Sequence, residues 1–148
     1  MATRPDNSPD KATIVYKTVE TTAVVVGCLV KMGSTDDKVT PVGAVTDLPF
    51  GIVTSIGGYT GSGTAITAGG VGDRVGVALL CGGVVPVKTG GTATRGQSAV
   101  YAAAGGLLGD GTPSDTTPTY TWSPGYFTQS GSSGDMVGLA LVRHSFSS

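Results

Sequence analysis

The sequence carries little charge. Only 13% of its 148 residues are Asp, Glu, Lys or Arg, about half the share usual in soluble proteins. With a net charge of −1, there is no basic footprint for nucleic acid and no polybasic patch for an anionic membrane. Helix formers are scarce as well: Glu20 is the only glutamate, and Leu and Lys are few. No apolar run nears the roughly 18 residues of a membrane-spanning helix. The stretch from Ala2 to Lys11 lacks an apolar core segment and holds two prolines, so it reads as neither a signal nor a transit peptide. The chain is expected to be made in the cytoplasm of its producing cell.

Chemistry-bearing residues are equally sparse. His144 is the only histidine and stands four residues from the end; a histidine there is usually a solvated or capping side chain. No Gly-x-Ser-x-Gly elbow accompanies it. One His, two distant Cys and scattered Asp offer no metal-ligand spacing. Asp36-Asp37 and the Asp110/Asp115 pair fall in turns, where Asp is favoured because its carboxylate bonds nearby amides. The glycines form no phosphate-binding loop. The reading is therefore a non-enzymatic protein with no catalytic residue, metal or cofactor. Cys28 and Cys81, both inside apolar runs, read as free thiols and small buried hydrophobes.

What the sequence has is β-branched residues and glycine. Its 19 valines, 21 threonines and 25 glycines favour strands joined by tight turns. Apolar runs predict strands at Ala12–Glu20, Ala23–Val26, Gly51–Ile56, Arg74–Cys81, Val84–Val87, Gln97–Tyr101 and Met136–Val142. Val39–Val45 adds a short one, broken by Pro41 and Gly43. Gly82-Gly83 signals a hairpin or a bulge, and Pro86 an edge or bulged position. Residues 57–70 read as a loop. Gly105-Gly106 turns the chain into Leu107-Leu108. Residues 109–135 form a Gly/Ser/Thr-rich loop or hairpin, in which Tyr120-Thr121-Trp122 and Tyr126-Phe127-Thr128 flank a turn at Ser123-Pro124-Gly125. The class is all-β or nearly so. Many short strands argue for a small barrel rather than a sandwich of long ones.

Residues 1–13 form an extended arm, since Pro5 and Pro9 forbid a helix. Such a terminus is either frayed or ordered against a partner by strand addition. Residues 14–148 make one β-rich domain.

One segment has a more specific look. Gly72-Asp73-Arg74-Val75-Gly76-Val77-Ala78-Leu79-Leu80-Cys81-Gly82-Gly83-Val84-Val85-Pro86-Val87 resembles the core of tailed-phage capsid decoration (cement) proteins. Gly96–Tyr101, Gly138–Leu141 and Pro49–Val53 resemble three further elements of that family, in the family's order, over residues 20–142. The resemblance implies a β-tulip-like fold, as in the lambda-type head-stabilising proteins. It also implies assembly, commonly as trimers, on the outside of an expanded phage head, where major capsid subunits meet. The expected partners are then the major capsid protein and further copies of this chain, with no nucleic acid and no membrane. The expected location is the virion exterior.

On that reading the contact candidates are Thr3, Arg4, Pro5 and Pro9 of the arm and the aromatics Tyr120, Trp122, Tyr126 and Phe127. Tyr and Trp are enriched at interfaces, and the competing role for these aromatics is closing one end of the core. An alternative function is a phage surface or fibre module binding host or carbohydrate through Tyr59, Trp122 and Tyr126. A small hydrolase using His144 is a third.

Overall fold

The computed structural model describes residues 11–57, 66, 68–111 and 121–146. These contain twelve strands: β1 (Ile14–Val19), β2 (Val24–Val25), β3 (Leu29–Met32), β4 (Lys38–Pro41), β5 (Gly51–Ile56), β6 (Ala68–Gly69), β7 (Arg74–Leu79), β8 (Cys81–Lys88), β9 (Ala99–Ala103), β10 (Leu107–Asp110), β11 (Thr121–Phe127) and β12 (Met136–Phe146). Among the described residues there is no helix. The all-β expectation holds, and so does the small barrel.

The barrel closes in the order β1-β4-β3-β5-β7, with β7 paired back to β1. Strand alternation explains it. Val30, Val53 and Val77 point inward with Val19, Val39 and Val75, and all six are at most 1% exposed. Stiff β-branched side chains of one size fill so small an interior without voids. Burying each contributes about 1.5–3 kcal/mol.

The neighbouring residues Leu29, Ile52 and Ala78 point outward in register across β3, β5 and β7. They are equally buried, because a second layer covers them. That layer consists of the sheet β11-β12-β8 and the hairpin β9-β10, which contribute Val85, Val87, Leu108, Phe127, Val137, Leu139 and Leu141. One valine-lined core thus sits inside the barrel and a second, larger one lies between barrel and sheet.

Several expectations need correction. The strand foreseen at Ala23–Val26 is only Val24–Val25, and Gly27 (φ +94°) turns the chain into β3, which the periodicity did not mark. Of the two readings of Gly82-Gly83, hairpin or bulge, the structure has the bulge. Residues Cys81 to Val84 oppose Val142 to Ala140 with one residue extra on β8, and β8 leaves β7 for the other sheet. Ser123-Pro124-Gly125 is not the expected turn. Strand β12 runs four residues further than expected, and β11 pairs along it from end to end, absorbing Pro124 in a bulge between Ser123 and Gly125. A bulge leaves ladder positions unpaired, so a residue without an N–H is tolerated there. Finally, Cys28 is buried as expected but Cys81 is exposed, because the bulge turns the start of β8 toward solvent.

Pro86 does mark an edge. β8 is the outer strand of its sheet, and Pro86 faces Gly138. Gly138 donates its N–H to Gln129 Oε1 (2.9 Å), and its carbonyl accepts from the Thr128 N–H. The Pro86/Gly138 pair is therefore not bonded across the ladder, and Pro86 presents its donor-free nitrogen at the sheet edge.

Candidate functional site

The segment Val42–Phe50 leaves β4, turns at Asp47 and returns into β5. Asp47 Oδ2 accepts the Gly43 N–H at 2.9 Å and binds Lys31 Nζ at 3.0 Å. Partial burial raises the Asp47 pKa, but the Gly43 amide and the Lys31 ammonium outweigh it and hold the carboxyl below its ordinary value. The turn is joined to the second layer by the Trp122 N–H, which donates to the Val45 carbonyl at 2.9 Å. Arg143 of β12 completes the junction. Its guanidinium lies 5.7 Å from the Trp122 ring centroid, and Nη1 reaches the Pro49 carbonyl at 3.4 Å.

These contacts gather apolar side chains on the outer surface. Leu48 is 51% exposed, and Met32 and Val45 are each 37% exposed. Half-buried Trp122 and Phe50 lie beside them. Between them is an open cleft of about 230 Å³, lined by Lys31, Met32, Leu48, Pro49, Phe50 and Arg143. Lys17 Nζ stands 5.5 Å from the Phe50 ring. The arrangement offers shape, apolar area and cations on a frame of strands, which suits binding to a protein surface.

A second aromatic group lies on the same two strands. Tyr126, 42% exposed, stacks on His144. His144 Nε2 is 3.2 Å from Ser98 Oγ, and Nδ1 is 3.0 Å from the Val142 carbonyl oxygen. A third exposed feature is the barrel wall around Tyr16, 58% exposed, with Arg74 above its ring at 5.7 Å.

The residues expected at the contact surface are thus divided. Trp122 and Tyr126 are on the surface. Phe127 is not: it is 2% exposed and belongs to the core between barrel and sheet, because it alternates with Tyr126 along β11. Tyr120, Thr3, Arg4, Pro5 and Pro9 lie outside the described residues, as does Tyr59. Arg143, Leu48, Met32 and Val45 were not singled out by sequence. Each is an unremarkable surface type there, and only the fold brings them together.

The aspartates serve the loops. Asp73, Asp110 and Asp135 accept the N–H groups of Gly70, Thr94 and Ser132 at 2.7–2.9 Å, and Thr35 Oγ1 donates to Asp37 at 2.6 Å. Among the described residues no group of three or more His, Cys, Asp or Glu side chains converges as a metal site would require.

A closed barrel with a second small sheet, and an outer face of apolar and cationic side chains on rigid strands, defines a structural binding module. Residues 3–143 match the phage family described as structural cement protein (E217 gp24/Pam3 gp6). The chain belongs to that family: it is a structural decoration protein that stabilises the phage capsid. Among solved structures it is similar to the N base of the head fibre gp8.5 of bacteriophage phi29, at 16% identity and a TM-score of 0.56. That similarity covers 88% of this chain and 94% of the other, and what the two share is the fold. A comparison with curated proteins gives no match.

Proposed function

We propose that the protein binds the exterior of the expanded head as a trimer, spans adjacent major capsid subunits and opposes the outward pressure of packaged DNA. The mechanism is mechanical and involves no catalysis, cofactor, nucleic acid or membrane. The observation that carries this reading is the face of Met32, Val45, Leu48, Phe50 and Trp122 at the junction of the two layers. It couples barrel and sheet, so a partner seated there would load both. Cementing needs only modest contacts repeated over the shell, since many sites engaged together raise the effective strength.

The arm of residues 1–13 extends the contact. Its described base is fixed: the Thr13 carbonyl accepts the Leu79 N–H at 2.9 Å. Ala12 packs against the larger core. The Lys11 carbonyl lies so close to Gly83 that a Cβ there would overlap it. Lys11 is thereby anchored at the β8 bulge, and strand addition to a neighbouring subunit is the contact proposed for the arm.

Co-sedimentation of the purified chain with expanded, undecorated heads and with unexpanded proheads tests the reading. Saturable binding to expanded heads alone is expected; equal binding to proheads, or none to either, contradicts it. A chain lacking Met1 to Lys11 is expected to bind more weakly while keeping its fold, and unchanged binding would remove the arm from the mechanism.

A further inference from the structure

Resting on the capsid-binding reading, we infer that the Leu48–Phe50 cleft receives an acidic-apolar segment of the capsid subunit. An apolar side chain would lie against Met32, Leu48 and Phe50, and an Asp or Glu carboxylate would pair with Arg143. Lys31 is neutralised by Asp47. Lys17 donates to the Asp36 carbonyl at 2.6 Å and shares its field with the Asp37 carboxylate of the same turn. Arg143 differs from both. Among the described residues it has no carboxylate within ion-pair distance, and its one side-chain hydrogen bond is the long contact to Pro49.

The guanidinium is held over the Trp122 ring at the rim of an apolar cleft. The Trp122 ring and the Pro49 carbonyl hold the guanidinium at the rim while leaving most of its five donors open. A guanidinium fork matches a carboxylate bidentately. Closure of the cleft by an apolar neighbour would then exclude water and strengthen the pair, whereas in open solvent it would contribute little. The cleft is small and open, which suits one side chain of an extended strand better than a free small molecule.

The test uses the full chain, expanded heads of its source phage and three variants, Arg143→Glu, Arg143→Lys and Leu48→Ser. Arg143 and Leu48 are exposed, so all three are expected to melt within a few degrees of the parent chain. Arg143→Glu is expected to weaken head binding by on the order of tenfold or more, Arg143→Lys by less. Binding by the parent chain is expected to fall as salt rises, and the Glu variant should lose that dependence. Benzoylphenylalanine incorporated at position 48 is expected to cross-link to a major-capsid peptide that contains Asp or Glu beside an apolar residue. Parent-level binding by Arg143→Glu, or a cross-link to a segment without a carboxylate or to another copy of this chain, would overturn the inference while leaving capsid binding intact. Failure of the parent chain itself to bind heads would instead remove the capsid reading.

Discussion

Tyr126 and His144 lie ring over ring on β11 and β12, their centroids 4.8 Å apart and their planes 11° from parallel. Ser98 Oγ and the Val142 carbonyl hold the two imidazole nitrogens, at 3.2 and 3.0 Å. The stack therefore ties the end of β12 to the far side of the β11 bulge. Replacing Tyr126 by Leu and His144 by Ala, singly and together, is expected to give a coupling of about 0.5–1.5 kcal/mol in urea unfolding. Strictly additive effects would show that the rings merely share a surface.

The bulge itself depends on Gly125. Its φ of +155° is one that side chains rarely adopt, and a Cβ would overlap the Ala140 carbonyl oxygen across the ladder. Gly125→Ala is expected to destabilise the fold by about 2 kcal/mol or more. Gly96→Ala, where a Cβ would meet nothing within 4 Å, is expected to cost about 1 kcal/mol. Thermal melts of the two variants check the ordering, and equal melting temperatures would contradict it.

The two thiols should behave differently. Cys28 is 0% exposed, and burial pushes its pKa up to about 11; Cys81 is on the surface. Titration with a thiol reagent near neutral pH is expected to modify Cys81 promptly and Cys28 only on unfolding. Rapid reaction of both would mean that the barrel opens far more readily than its packing implies.

How much of this was legible in the sequence depends on what each residue needs to know about the rest of the chain. The run Arg74–Leu79 declares itself, because its valines alternate and glycine precedes it. Ser123-Pro124-Gly125 misleads for a physical reason. Pro-Gly is a turn signal locally, and only the full-length partner strand β12 makes it a bulge. Among the aromatics, residue type points to Trp122 and Tyr126 and equally to Phe127, although β11 turns Phe127 inward. Arg143 was missed, since its meeting with Leu48 rests on the hydrogen bond between Trp122 and Val45, which joins distant parts of the chain. No local pattern encodes that.

Pro86 guards the one outer edge of β8. Pro86→Val restores an N–H facing away from Gly138, toward open solvent, and creates a site for strand pairing between molecules. Sedimentation velocity of the free chain is expected to show concentration-dependent association of the variant beyond that of the parent. Identical profiles would mean that the edge is blocked by something other than the missing donor.

The protein reinforces the shell. The most direct measurement is the temperature at which DNA-filled expanded heads rupture, followed by release of dye-accessible DNA, with and without a saturating amount of the chain. A higher rupture temperature is expected for decorated heads, and a smaller gain with Arg143→Glu at the same added concentration. An unchanged rupture temperature on heads shown to be saturated would contradict it.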